Sequence, residues 1–182
     1  MGKTKTEPHI VFVNSKDKVV GSGPISSYIK NGYAVRISRV FLYDATGTHL
    51  LLQRRSIQIK GSPRKWDQTA AGHVDKGETY RAAAYRELKE EMGVRTELIK
   101  AGRFYTEDSH PDGVRKRFNT VFVGVLDMST KLVLDKNEVS AAKWVAVTEL
   151  DKWLADAPND FTSAFAESYQ VASALHTHKD AS

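Results

Sequence analysis

Along most of the chain short apolar runs alternate with polar turns, and near the middle the apolar spacing lengthens from two residues to between three and four. HIVFVN (9–14) and DKVVGSG (17–23) predict two short strands around a polar turn. VRISRVFLYD (35–44), the turn ATG and HLLLQRR (49–55) predict a strand, a turn and a strand, the second nearly continuously apolar, as in a strand buried on both faces. GSP (61–63) breaks the pattern, WDQTAAGHV (66–74) resumes an extended segment, and GHVDKGE (72–78) is a glycine-bounded loop. From Thr79 to Met92 there is no Gly, no Pro and no β-branched run, and Ala, Leu, Glu, Lys and Arg dominate, which predicts a helix ended by Gly93. ELIKAGRFYTED (97–108) and RFNTVFVGVLDM (117–128) predict strands joined by the polar turn SHPDG, and AAKWVAV (141–147) predicts another. Thr148 and Asp151 predict a capping box opening the helix TELDKWLADA, while Phe161, Phe165, Tyr169 and Ala172 recur at helical spacing on a last helix. Strands and helices do not alternate regularly, so the pattern predicts an α+β fold rather than a doubly wound sheet.

Composition narrows this further. A chain of 182 residues without repeats or linker-like tracts suits one domain over 1–182, with residues 1–34 as N-terminal strands and extension. There are no cysteines, which excludes disulfide scaffolds, thiolate zinc sites and thiol catalysis. MGKTKTEPHI has no apolar leader, and no stretch reaches the roughly 18 apolar residues of a membrane span, so the expectation is a soluble, cytoplasmic protein. Lys plus Arg outnumber Asp plus Glu by 27 to 22, an excess suited to an anionic small molecule. Nucleic acid is disfavoured as a partner, because the basic run QRRSIQIKGSPRK (53–65) carries no interleaved aromatic residues.

Within this basic chain, RELKEE (86–91) gathers three acids. On a helix Glu87, Glu90 and Glu91 stand at i, i+3 and i+4, side by side within roughly 100° of arc, and like charges so placed repel. Either neighbouring Lys and Arg compensate them on a solvated face, or they converge on a hard divalent cation. The apolar arc of Ala84, Tyr85, Leu88 and Met92 puts the acids on its flank, with Arg86 and Lys89 pointing away, and that placement favours the cation. Gly72 would let the backbone approach closely and offer its carbonyl as a further oxygen ligand. Glu78 reads equally as a partner for Arg86 or as a favourable acid at a helix N-terminus.

Taken together, Gly72, five residues, Glu78, seven residues, then Arg86-Glu87-Leu88-Lys89-Glu90-Glu91-Met92-Gly93-Val94 resemble the Nudix box over residues 72–94, with each defining position filled. The resemblance implies a mixed β-sheet sandwiched between helices. It also implies hydrolysis of a nucleoside diphosphate linked to another group X, or of a related organic diphosphate, with Mg²⁺ or Mn²⁺. By position it makes Glu87, Glu90, Glu91 and the Gly72 carbonyl metal ligands, and Glu78 and Arg86 structural supports. Glu87 or Glu138, an acid shortly before the Trp144 strand, would be the general base. A homodimer is compatible with it.

LLLQRRS, Pro63 to Asp67 and AAGH further resemble the branch containing isopentenyl-diphosphate isomerase, in which basic residues grip the diphosphate; Arg54, Arg55 and Lys60 match that role. The isomerase itself places a cysteine where this chain has Ala71, and draws histidine ligands from a region that here lacks any His between His9 and His49. Those departures favour a hydrolase. An isomerase-like enzyme and a non-catalytic nucleotide sensor are the alternatives, and His73 is expected as a loop residue beside the site.

Overall fold

The computed structural model describes residues 7–177, so residues 1–6 and 178–182 of the expected 1–182 domain lie outside the described residues. A hairpin of β1 (His9–Val13) and β2 (Val19–Pro24) comes first. Asn14 shapes its turn, its Oδ1 accepting the backbone N–H groups of Lys16 and Lys18. Next come β3 (Ala34–Tyr43), β4 (His49–Arg55), β5 (Trp66–Asp67) and β6 (Ala70–His73), followed by α1 (Tyr80–Met92). A long hairpin of β7 (Ile99–His110) and β8 (Gly113–Val125), then β9 (Val139–Ala146), α2 (Val147–Asp156) and α3 (Phe165–Thr177), complete the chain.

The nine strands form one mixed sheet around β3, which is buried along nearly its whole length, whereas β4, the strand expected from its apolar run to be buried on both faces, is buried only from Leu50 to Gln53. β8 runs parallel to β3 over its full length, and β1, β4 and β6 lie antiparallel to parts of it. β3 and β4 touch only at Leu42–Leu51 and Tyr43–Leu50, and then the sheet forks. β4 continues with β5 and β9, while β3 continues with β6 and β8. Thr69, in the segment crossing the fork, seals it: its Oγ1 accepts the Leu42 N–H and donates to the Leu51 carbonyl.

Alternation along β3 assigns the two faces of the sheet. Val40 and Leu42 meet Ala84, Leu88 and Met92 of α1, whereas Phe41 and Tyr43 meet Leu150 of α2, Phe161, and Phe165 and Tyr169 of α3. The sheet is therefore sandwiched between helices, as the Nudix resemblance implies. Leu88 is fully buried. Leu88→Ala should cost about 2–5 kcal/mol of stability, measured by urea unfolding; a loss below about 1 kcal/mol would mean that α1 does not hold this face.

α1 begins and ends where the sequence predicts: Thr79 accepts the Ala82 N–H as N-cap, and Gly93 closes the helix at a left-handed φ of 73°. Two expectations are corrected. Thr148 caps nothing, because β9 pairs with β4 as far as Ala146 and α2 starts at the next residue, with Ala146 as N-cap and no side-chain cap bond. Phe161 precedes α3 and bridges to Trp66 of β5, so its apolar spacing reports burial rather than a continuous helix.

The N-terminal hairpin is fastened by Asp17, a non-glycine residue at φ 55°. Its carboxylate accepts Arg36 Nε at 2.6 Å, the Tyr80 hydroxyl at 3.1 Å and Arg103. Both guanidinium carbons lie over the Tyr80 ring, 5.2 and 5.3 Å from its centre. No helix among the described residues is long and apolar enough to cross a membrane.

Candidate functional site

The loop between β6 and α1 is held from both sides by backbone bonds. Val74 N–H donates to Arg36 O, Val11 N–H to Val74 O, and Lys76 N–H to His9 O, each at 3.0 Å. Gly77 turns the chain at φ 86°. Glu78 then accepts Arg86 in two-point geometry, Nε to Oε1 at 2.8 Å and Nη2 to Oε2 at 2.9 Å, and the same Nη2 donates to His73 O. Arg86 therefore turns in toward the loop rather than away, correcting the sequence expectation: a two-oxygen acceptor inside outweighs water outside. The pairing holds the Glu78 carboxyl below its usual range, against the opposing effect of burial.

Two of the three helical acids are buried and one is not. Glu87 is 8% and Glu91 4% exposed, whereas Glu90 stands largely in solvent, 3.2 Å from Arg86 Nη1. Glu87 takes the same nitrogen at 2.6 Å and lies against Gly72, where an added Cβ would sit 1.8 Å from its Oε1. Glu91 accepts Gln53 Nε2 at 2.8 Å and the Ala71 N–H, on the free edge of β6, at 3.2 Å. Among the described residues it forms no ion pair with any Lys or Arg.

Glu138, half-buried in the loop before β9, acts electrostatically on both Glu87 and Glu91, and its carbonyl accepts the Ser56 N–H. Burial pushes Glu87 up to about 7 against the pull of Arg86. Burial pushes Glu91 well above the carboxylate range, helped by Glu87 and Glu138. Such a cluster stays charged only if a cation joins it. No group of three or more His, Asp or Glu side chains is closed into a metal-binding set among the described residues.

Of the basic residues, Arg54 and Arg55 end β4 and hold the loop after it. Arg54 Nε donates to Arg64 O and Arg55 Nη2 to Gly61 O, and Arg55 Nη1 lies 3.6 Å from Asp67. Lys60 is exposed on that loop. A cavity of about 260 Å³ adjoins it, lined by Arg54, Arg64, Lys65, Trp66, Asn159 and Asp160 among others. A second, of about 400 Å³, lies between the β1–β2 turn and the β7–β8 hairpin. Neither is lined by Glu87 or Glu91.

His73 belongs to β6 rather than to a loop, and faces away from α1. Burial, reinforced by Arg117, Arg39 and Arg86, pushes it down to about 4 and keeps it neutral. Sequence reasoning missed Gln53, although a lone amide inside LLLQRR was a visible signal.

Comparison with known proteins gives a consistent result. The NUDIX domain model matches residues 33–165. The chain is 32% identical over 157 residues to isopentenyl-diphosphate delta-isomerase 2 of Photorhabdus laumondii, covering 86% of this chain and 87% of that one. It is 31% identical over 137 residues to an uncharacterised Nudix hydrolase of Pseudomonas aeruginosa, covering 75% and 77%. Among solved structures it resembles the DR0079 protein of Deinococcus radiodurans, with a TM-score of 0.69 and 23% identity over 90% of this chain and 97% of that one.

Proposed function

Since this chain belongs to the Nudix family, we propose that it hydrolyses the phosphoanhydride bond of an organic diphosphate, such as a nucleoside diphosphate linked to a group X, with a divalent metal ion. The observation that carries this reading is Glu91: a buried carboxylate beside Glu87, within the field of Glu138, and served among the described residues by two neutral donors. A buried acid cluster of this kind needs a counter-charge. The donor set is all oxygen, which fits Mg²⁺ or Mn²⁺ rather than a softer ion. Glu87, Glu91 and the Gly72 carbonyl would hold it, with Glu90 joining from the rim. When bound, such an ion neutralises phosphate oxygens and makes water acidic.

The chain's own groups supply the rest. Glu138 or Glu87 takes the proton from the attacking water at a carboxylate oxygen. Arg54 and Arg55 at the end of β4, and Lys60 on the loop after it, bring positive charge to the diphosphate, and Ser56 ties the start of that loop to Glu138. The Glu78–Arg86 pair keeps the β6–α1 loop from drifting, so the Gly72 carbonyl and Glu87 stay in register.

A second reading, double-bond isomerisation of an isoprenoid diphosphate, is favoured by the names of relatives such as the Photorhabdus protein. Against it, Ala71 offers no group able to carry a proton. One assay separates the two. Nucleotide sugars, dinucleoside polyphosphates, oxidised nucleotides and isoprenoid diphosphates are incubated with Mg²⁺ or Mn²⁺, and both released phosphate products and rearranged alkenes are followed. We expect phosphate products that disappear with EDTA. Alkene migration without hydrolysis would replace the first reading with the second, and hydrolysis indifferent to EDTA would remove the metal from it.

A further inference from the structure

On the sheet face turned away from α1, two apolar clusters leave a polar interval between them. Phe41, Tyr43 and Val121 lie under α2 and α3, and Val35 and Ile37 lie under Ile10, Phe12 and Tyr28. The register places Arg39 of β3 between these clusters and, on the same face, His73 of β6 and Asn119 of β8 beside Ile37 and Arg117 of β8 beside Val35. Neighbouring strands are about 4.8 Å apart. His73 directly follows Gly72, so β6 presents Gly72 to the acids of α1 on one face and His73 to this interval on the other.

The interval holds more positive charge than the protein offsets. Arg39 is 5% exposed, and its guanidinium is held by two neutral amides, Nε to Asn119 Oδ1 at 3.0 Å and Nη1 to Gln68 Oε1 at 3.2 Å. Among the described residues it has no carboxylate at ion-pair distance; Asp67 and Glu167 act on it only from further off. Arg115 and Arg117 share the single carboxylate of Asp108, and Arg55 is matched by Asp67. Among the described residues Arg39 thus has no ion-pair partner, and Arg117 shares its one acid with Arg115.

Hydrogen bonding points the same way. Among the described residues, the buried side-chain atoms of this interval left without a partner are Arg117 Nε and Gln68 Nε2, both of them donors. Gln68 is fully buried. A surplus of buried donors and cations is the complement of an oxyanion.

We propose that Arg39 and Arg117, with the amides of Gln68 and Asn119 behind them, form an oxyanion site for a phosphate group of the substrate other than the bond that is broken. The preferred compounds would then be organic diphosphates whose group X itself carries phosphate. This rests on reading the acids of α1, across the sheet at β6, as the diphosphate site.

The test uses the full chain in EDTA, titrated calorimetrically with inorganic phosphate. Saturable binding is expected, weakened at least about tenfold in Arg117→Gln and in Arg39→Lys, the second of which keeps the charge but loses the fork. Circular dichroism confirms folding of each variant. With turnover substrates that differ only by a phosphate on X, Arg117→Gln should raise KM for the phosphorylated member and leave kcat of both unchanged. Equal phosphate affinity in wild type and folded Arg117→Gln, or binding lost only in Arg55→Gln, overturns the proposal. Because the titration needs neither metal nor catalysis, phosphate binding in a protein that hydrolyses no diphosphate would overturn the hydrolase reading alone.

Discussion

Glu91→Gln should lower metal-dependent turnover at least about a hundredfold while leaving the fold intact. The amide keeps the shape of the side chain and an oxygen for the Gln53 and Ala71 donors, so packing is unchanged. What it removes is one negative charge from a buried cluster in which Glu87, Glu91 and Glu138 repel one another. Without metal the variant should therefore melt no lower than wild type, because the amide buries no ionisable group beside Glu87 and Glu138. Glu87→Gln should show the same loss of turnover, but it also gives up a charged acceptor for Arg86 and should not gain stability. The measurement is kcat/KM against Mg²⁺ concentration beside a thermal melt in EDTA. Wild-type turnover of Glu91→Gln at saturating Mg²⁺ would exclude Glu91 as a ligand.

Gly72→Ala should be nearly as damaging, and for a steric reason. Its Cβ would lie 1.8 Å from Glu87 Oε1 and 2.1 Å from Cδ, so either the carboxylate leaves its place or β6 shifts against β3. Overpacking of this kind costs about 1–3 kcal/mol, and a displacement of about 1 Å at a reacting centre costs about a hundredfold in rate. Gly21→Ala in β2, where a Cβ meets nothing within 4 Å, is the control and should be nearly neutral. Full activity in folded Gly72→Ala would show that the position of Glu87 does not matter to turnover.

The parts of the fold legible in the sequence are those written in local chemistry. Thr79 and Gly93 delimit α1 because a cap hydroxyl and a left-handed glycine act on their own turn of helix. The spacing from Glu78 to Arg86 lets the two side chains meet across one loop. What could not be read depends on distant partners. Thr148 loses its capping role to β4, a strand about a hundred residues earlier, which extends β9 to Ala146. Arg86 turns inward because His73 O and Glu78 wait there, and a helical wheel contains neither. Glu87 and Glu91 part company with Glu90 because the α1–sheet contact covers only part of the acidic face. Arg39, Gln68 and Asn119 meet only once strand register is known, and each alone looks like an ordinary polar residue in a strand.

The β1–β2 hairpin lies ahead of the stretch 33–165 that the family pattern measures, yet it is no appendage. Val11 and Val13 share a core with Val74 and Ala83, and β1 supplies the backbone partners of the loop that ends at Glu78. Asp17 neutralises two guanidiniums stacked on the first residue of α1. Anyone grafting this domain onto another protein, or trimming it for crystallisation, would need to keep the segment from His9 onward, because a cut at the family boundary would pass through its foundations.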